Sequence, residues 1–220
     1  MPLKTGNLTL FEDSNPGRAL PEGVIFRPKV VSFALQQELL AAVRAIAQEA
    51  PFQHPRTRGG GMTSAAMTNA GDAGWWSDRS GYRYITRQPD SDKPWPPMPE
   101  VFRKAVAHII NGSPWPDFQP DACLINFYEP GAKMGLHQDR DERDFNQPIV
   151  TISLGDDADF LVGGLARTDK TVALAVASGE AVIMGPPGRM LFHGIRKIYP
   201  GTGPLADLKG RISLTFRKAL

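Results

Sequence analysis

The chain has 220 residues, 41% of them apolar, which suits one domain with a sizeable core or one domain with an added lobe. Its formal charge of +2 and pI near 8.7 permit nucleic-acid binding without demonstrating it. A lone cysteine, Cys123, excludes an intrachain disulfide, and no apolar run approaches the length of a membrane span. With no signal-peptide stretch at the N-terminus, the sequence reads as a cytoplasmic protein that acts as a monomer.

Residues 1–22 lack periodicity and read as an N-terminal arm. A helix is expected over 32–50: Ser32 can cap it, Leu35, Leu39, Val43, Ile46 and Ala47 recur at helical spacing, and Pro51 stops it. Residues 52–95 read as irregular, with short strand-like pieces among glycines and aromatics. The stiff run Lys93–Pro99 leads into a second helix over 99–111, with Pro99 in its first turn and Gly112 at its end. From residue 120 short strands follow with frequent turns, over 122–128, 133–138, 149–155, 158–162, 171–177, 181–185, 190–195 and 211–217. Eight short strands in about 100 residues point to a sandwich or jelly roll. A long loop is expected over 196–210. The whole reads as one structural unit of α+β class, mainly β. Residues 23–117 would supply the helices, and residues 118–220 the sandwich or jelly-roll core.

The last strand carries a period of two. Ile212, Leu214 and Phe216 point one way, and Arg211, Ser213, Thr215 and Arg217 the other. An isolated strand of this kind is most often half-exposed in an antiparallel sheet. Upstream, however, His137 and Asp139 stand at i and i+2 and project to one side of an extended chain. His193 lies in a short apolar segment beyond them. Two imidazoles and one carboxylate can hold one face of a ferrous ion and leave positions open. Two arginines on one strand, Arg211 and Arg217, can hold the two carboxylates of a dicarboxylic acid. Together these point to a non-haem iron oxygenase that uses Fe(II), dioxygen and 2-oxoglutarate. Asn126 and Tyr128, on one face of the strand over 122–128, can complete the hydrogen bonding of a bound carboxylate. Asp141 continues the i, i+2 series but is surplus to a triad. Glu142 and Asp144 read as solvated, and His54 and His108 fit no ligand pattern.

Residues 51–95 hold Trp75, Trp76, Trp95, Tyr82 and Tyr84 with six basic residues. Such a set suits base stacking with phosphate contacts, and equally suits a small aromatic core with solvated charges.

The run Asp121–Glu142, with Phe192–Ile195, Leu214–Arg217, Ala66–Asn69, Gly74-Trp75, Gly81-Tyr82 and Lys93–Pro99, resembles the AlkB family of alkylation-repair dioxygenases over nearly the whole chain after the arm. The resemblance implies a double-stranded β-helix (jelly-roll) core over 118–220 with an N-terminal substrate-binding lid within 23–117, and that His137, Asp139 and His193 bind Fe(II). It implies that Arg217 faces the 2-oxoglutarate carboxylate that chelates the metal, and that Arg211, with Tyr128, holds the distal carboxylate. Asn126 and Ser213 would complete that subsite; Ser213 stands where enterobacterial members carry Asn. Trp75, Tyr82 and Tyr84 would belong to the lid, with Trp75 stacking on a flipped base, and Asp141 and Arg167 would contact substrate. The implied reaction is oxidative demethylation of 1-methyladenine and 3-methylcytosine in DNA, single-stranded by preference, and in RNA. The competing readings are the same chemistry on RNA or protein, and a non-catalytic single-strand binding module.

Overall fold

The computed structural model describes residues 19–57 and 59–220. Arg58 and most of the arm expected over 1–22 lie outside the described residues. In chain order the elements are β1 (Val24–Arg27), α1 (Phe33–Glu49), β2 (Ala66–Gly71), β3 (Gly74–Asp78), β4 (Gly81–Ile85), α2 (Glu100–Ile110), β5 (Ala122–Tyr128) and β6 (Met134–His137). They continue with β7 (Ile149–Gly155), β8 (Asp157–Val162), β9 (Val172–Val176), β10 (Ala181–Met184), β11 (His193–Tyr199) and β12 (Arg211–Arg217). The strands form a six-stranded sheet in the order β1-β10-β7-β12-β5-β2, a four-stranded sheet in the order β6-β11-β8-β9, and the hairpin β3-β4. All pairings are antiparallel.

Both helices follow from local signals. The Ser32 side chain accepts from the Leu35 amide at 3.3 Å, satisfying one free donor of the first turn of α1. Helix α2 starts after Pro99 and ends at Asn111, ahead of Gly112 at φ +69°. Their stripes, Leu39, Leu40, Val43 and Ile46 on α1 and Phe102, Ala105, Val106, Ile109 and Ile110 on α2, are buried. They share one core with Cys123 and Ile125 of β5, Val150 and Ile152 of β7, and Ile212, Leu214 and Phe216 of β12. The Phe102 and Phe216 rings meet edge to face, with centroids 5.6 Å apart. Each of the three β12 side chains contributes roughly 1.5–3 kcal/mol by burial. This core anchors the outer face of the large sheet. Its inner face, through Tyr128, Val182 and Met184, meets Phe160, Val162, Leu174, Ile195 and Ile198 of the smaller sheet in a second core. The result is the mainly-β jelly roll with two supporting helices. Among the described residues no helix is long and apolar enough to cross a membrane.

Three differences from the sequence expectations have physical causes. The strand expected over 190–195 starts at His193 and runs to Tyr199, so the loop after it is shorter than 196–210. Gly188–Met190 forms a single 3-10 turn instead. Strand β2 lies inside the stretch read as irregular, fully buried against β5; its Ala-Met-Thr-Asn-Ala-Gly sequence has neither alternation nor bulk to announce a strand. Strand β1, four residues on the far edge, is too short to show a period.

Candidate active site

Strand β12 sits between β5 and β7, and its register makes the co-substrate residues neighbours. Arg211 stands opposite Tyr128, and Ser213 opposite Asn126. Because Ile212, Leu214 and Phe216 are committed to the outer core, Arg211, Ser213, Thr215 and Arg217 face the space between the sheets. They line a cavity of about 490 Å³ together with Asn126, Tyr128, His137, Asp139 and His193.

His137 ends β6 and His193 begins β11, and the two are register partners, with ring centroids 4.4 Å apart. Asp139 follows two residues after His137. Its Oδ1 lies 3.8 Å from His137 Nε2, and its Oδ2 lies 3.7 Å from His193 Nε2. One ligand atom from each of the three falls within 4.8 Å of the others. Each imidazole is oriented alike: Nδ1 of His137 lies 3.0 Å from the Gly135 carbonyl oxygen, and Nδ1 of His193 lies 3.0 Å from that of Leu191. A proton on Nδ1 donated to these carbonyls leaves the Nε2 lone pairs turned to a common point. Burial, reinforced by His137, lowers the His193 pKa to about 4, which keeps that imidazole neutral. Burial would raise the Asp139 pKa, but Arg217 above all, with His193, His137 and Arg189, holds the carboxyl well below the usual carboxylate range. Arg217 makes this contact directly, with Nε and Nη2 donating to Asp139 Oδ2 at 3.2 and 2.9 Å. Two imidazoles with Nε2 turned inward and an ionised carboxylate on one side of a point fit a ferrous ion.

The floor of the cavity fits a dicarboxylate. Arg211 is 1% exposed. Its Nη2 donates to Ser153 Oγ at 2.9 Å and its guanidinium lies 5.3 Å from the Tyr128 ring, yet Nε and Nη1 have no partner. Burial lowers its pKa, and no carboxylate faces it among the described residues. A buried cation with two idle donors carries a large desolvation cost that an anionic ligand offsets. Nη1 of Arg217 is likewise buried and unpartnered. Burial pushes the Tyr128 hydroxyl up to about 12, so the phenol stays protonated and can donate.

Beside this floor stands the β3–β4 hairpin. Trp75 and Tyr82 line the cavity, their rings near-parallel at 5.5 Å. The Trp75 backbone is clamped by Asn69, whose side chain bonds both its amide and its carbonyl. Trp95 braces the hairpin from behind; a Cβ at Gly74 would lie 2.4 Å from its ring, so that position requires glycine. Trp95 is therefore core, and its Nε1 donates to the Ile85 carbonyl at 2.9 Å. Trp75 Nε1 donates to Asp141 Oδ2 at 2.7 Å, which places Asp141 beside the hairpin at the cavity and outside the metal triad. Arg167 also lines the cavity and donates to the Leu136 carbonyl.

Two expectations change. Tyr84, expected to meet substrate, is not among the residues lining the cavity; its hydroxyl donates to Glu142 Oε1 at 2.6 Å. Glu142, expected to be solvated, is 6% exposed and accepts from Arg189 Nη2 at 2.8 Å. Arg189 also donates from Nη1 to the Asp139 carbonyl at 2.9 Å, so this ion pair fixes the segment that carries the metal carboxylate. His54 and His108 are both exposed and away from the triad. Glu142, Arg189 and Ser153 were missed because each acts through a partner 47 to 58 residues away, which local pattern does not report.

Comparison with known proteins agrees with this geometry. The family model of the 2OG-Fe(II) oxygenase superfamily matches residues 23–217. An alpha-ketoglutarate-dependent dioxygenase AlkB homolog of Caulobacter vibrioides is 45% identical over 87% of this chain and 86% of its own. The alpha-ketoglutarate-dependent dioxygenase AlkB of Escherichia coli is 41% identical over 96% and 98%. A solved structure of OsALKBH1 superposes with a TM-score of 0.79 at 32% identity, covering 91% of this chain and all of that one. More distant relatives are a DNA N(6)-methyladenine demethylase of Arabidopsis thaliana (30% identical over 96% of this chain and 52% of that one) and a tRNA demethylase of Schizosaccharomyces pombe (33% over 62% and 45%).

Proposed function

We propose a substrate for this chain, starting from what it is: it belongs to the 2OG-Fe(II) oxygenase superfamily and is an Fe(II)- and 2-oxoglutarate-dependent dioxygenase. The substrate is an N-methylated base, 1-methyladenine or 3-methylcytosine, in DNA and also in RNA. One observation carries this reading: the metal triad, an unpaired buried arginine and an aromatic wall open into the same cavity. The names of relatives that demethylate DNA and tRNA support the choice of nucleic acid.

Each residue's role follows from its surroundings. His137, Asp139 and His193 hold the iron through Nε2, a carboxylate oxygen and Nε2. Arg211 takes the distal carboxylate of 2-oxoglutarate with its idle Nε and Nη1, and Tyr128, Asn126 and Ser213 line that end. Arg217 keeps Asp139 ionised and offers Nη1 to the carboxylate nearer the metal. When bound, iron and 2-oxoglutarate would supply, with dioxygen as the oxidant, the oxidation of the N-methyl carbon: one oxygen atom ends in succinate as carbon dioxide leaves, the other in formaldehyde, and the base is restored. Trp75 supplies a stacking face for a base turned out of the strand. Its other face is taken by Tyr82 at a spacing too small to admit a base between them. Asp141 stands beside that ring, where its charge favours a cationic methylated base. A lesion on the pairing edge weakens pairing and lowers the cost of extrusion, and a single strand lowers it further. Arg167, exposed at the cavity, is placed to meet substrate or its phosphates. The hairpin acts as the lid, residues 118–220 carry the chemistry, and the enzyme works as a cytoplasmic monomer.

The test is formaldehyde release from a 1-methyladenine oligonucleotide, with Fe(II), ascorbate and 2-oxoglutarate omitted in turn. Release that needs both iron and 2-oxoglutarate is expected. Succinate formation without formaldehyde from DNA or RNA would move the substrate to protein.

A further inference from the structure

Tyr84 and Glu142 have no place in the roles above, yet both are tied into the site. Glu142 is buried with both carboxylate oxygens in use. Oε2 accepts from Arg189 Nη2 at 2.8 Å. Oε1 accepts from the Tyr84 hydroxyl at 2.6 Å and lies 3.3 Å from Arg217 Nε. So placed between two guanidiniums and a phenol, Glu142 has no oxygen left for a substrate. Arg217 divides its donors unevenly. Its Nε and Nη2 edge is held by Asp139, with Glu142 close to the same Nε, and Nη1 is left without a partner. Two carboxylates on one edge of a planar fork set its rotation, and with it the direction of the free N–H. Tyr84 belongs to the hairpin, whose other strand is bonded to the same segment through Trp75 and Asp141 at 2.7 Å. The hairpin is thus one hydrogen bond and one ion pair away from the arginine that meets the co-substrate.

We propose that Tyr84 and Glu142 are positioning residues that orient Arg217, so that seating of the β3–β4 hairpin sets the affinity for 2-oxoglutarate. The phenol restrains the Glu142 carboxylate; the carboxylate restrains Arg217 Nε; Arg217 presents Nη1 to the co-substrate. The inference rests on the reading that Arg217 receives a 2-oxoglutarate carboxylate. It assigns Tyr84 to co-substrate binding by way of Glu142, and away from contact with the base.

The experiment measures 2-oxoglutarate binding to Mn(II)-loaded protein by calorimetry, and binding of a 1-methyladenine oligonucleotide by fluorescence anisotropy at saturating 2-oxoglutarate. It compares the parent chain with Tyr84→Phe, which loses one hydroxyl and keeps the ring, and with Glu142→Gln. Tyr84→Phe should weaken 2-oxoglutarate by about threefold to tenfold, raise KM for 2-oxoglutarate with kcat held, and leave oligonucleotide affinity within about twofold. Glu142→Gln should act in the same direction and more strongly; should it fail to fold, Tyr84→Phe still decides. Unchanged 2-oxoglutarate affinity in Tyr84→Phe, or a loss confined to the oligonucleotide, overturns the relay while the parent chain's own binding upholds the Arg217 reading. Absence of 2-oxoglutarate binding in the Mn(II)-loaded parent chain overturns both.

Discussion

On the floor of the cavity, three of the chemical side chains stand on strands that are paired on both sides, Arg211 and Arg217 on β12 between β5 and β7 and His193 on β11 between β6 and β8, while His137 ends the edge strand β6 and Asp139 follows it, held by Arg217 and Arg189. On the wall, Trp75 and Tyr82 stand on two strands that pair only with each other. Arg211, Arg217 or His193 moves only if two ladders move. The wall is held by a short set of side-chain bonds, from Asn69, Trp95, Asp141 and Glu142. Local opening of such an element costs far less than disrupting a central sheet. The difference assigns fixed geometry to the oxidation and adjustable geometry to the recognition of a base. It also yields an ordered set of tests, in which floor substitutions remove metal or co-substrate and substitutions of the cavity-lining rings Trp75 and Tyr82 remove only nucleic acid.

The largest effect is expected at the triad. His137→Ala should lower metal affinity by more than about a hundredfold and abolish formaldehyde release, with the fold intact because His137 is only partly buried. Asp139→Ala should do the same and also destabilise, since it removes the two hydrogen bonds of the buried Arg217 and leaves that cation with the Glu142 carboxylate alone. Metal binding by isothermal calorimetry, followed by thermal melting, separates the two. A His137→Ala protein that still couples 2-oxoglutarate consumption to demethylation would break the comparison at its base.

Next comes Arg211→Met, which exchanges an unpaired buried guanidinium for an apolar chain of similar length. Loss of about 2–4 kcal/mol, roughly 30- to 1000-fold in 2-oxoglutarate affinity, is expected. The ligand-free protein should melt at the same temperature or higher, because the uncompensated charge is gone. A fall in both affinity and ligand-free stability would make Arg211 a packing residue and the floor a core.

Trp75→Ala tests the wall. Loss of a stacking platform costs about 1–3 kcal/mol per base, so oligonucleotide affinity should fall roughly fivefold to a hundredfold while Mn(II) affinity stays put. Trp75→Phe keeps a ring but loses the bond to Asp141. Retained affinity in the Phe variant assigns the effect to stacking, and equal loss assigns it to the tether.

How far these regions were legible from sequence differs in the same way. The alternation in β12 was plain because one face is committed to the core under α2, and the His-x-Asp spacing survives any detail of the turn between β6 and Asp139. The wall was ambiguous because stacking a base and packing a core select the same aromatics; Trp95 turned out to do the second and Trp75 is placed for the first. Tyr84 was placed in the lid with Tyr82 by the family resemblance, but a hairpin leaning on a neighbouring segment gives the two tyrosines different neighbours, the Trp75 ring for one and Glu142 for the other. Glu142 looked solvated because the charges that bury it, Arg189 and Arg217, lie 47 and 75 residues further along the chain.

Tyr82 marks the lower bound of the wall's contribution. It is 49% exposed, and its ring covers one face of Trp75 at 5.5 Å. A base on the opposite face of Trp75 would not touch it, so Tyr82 acts by holding the indole in place. Tyr82→Ala removes an aromatic pair worth about 0.5–1.5 kcal/mol beyond its area, part of it already screened by water. Oligonucleotide affinity should fall about twofold to tenfold, with 2-oxoglutarate affinity and melting temperature unchanged. A loss as large as that of Trp75→Ala would mean that the base meets both rings. The two would then have to separate on binding, and the hairpin would be a clamp that opens instead of a seat already formed.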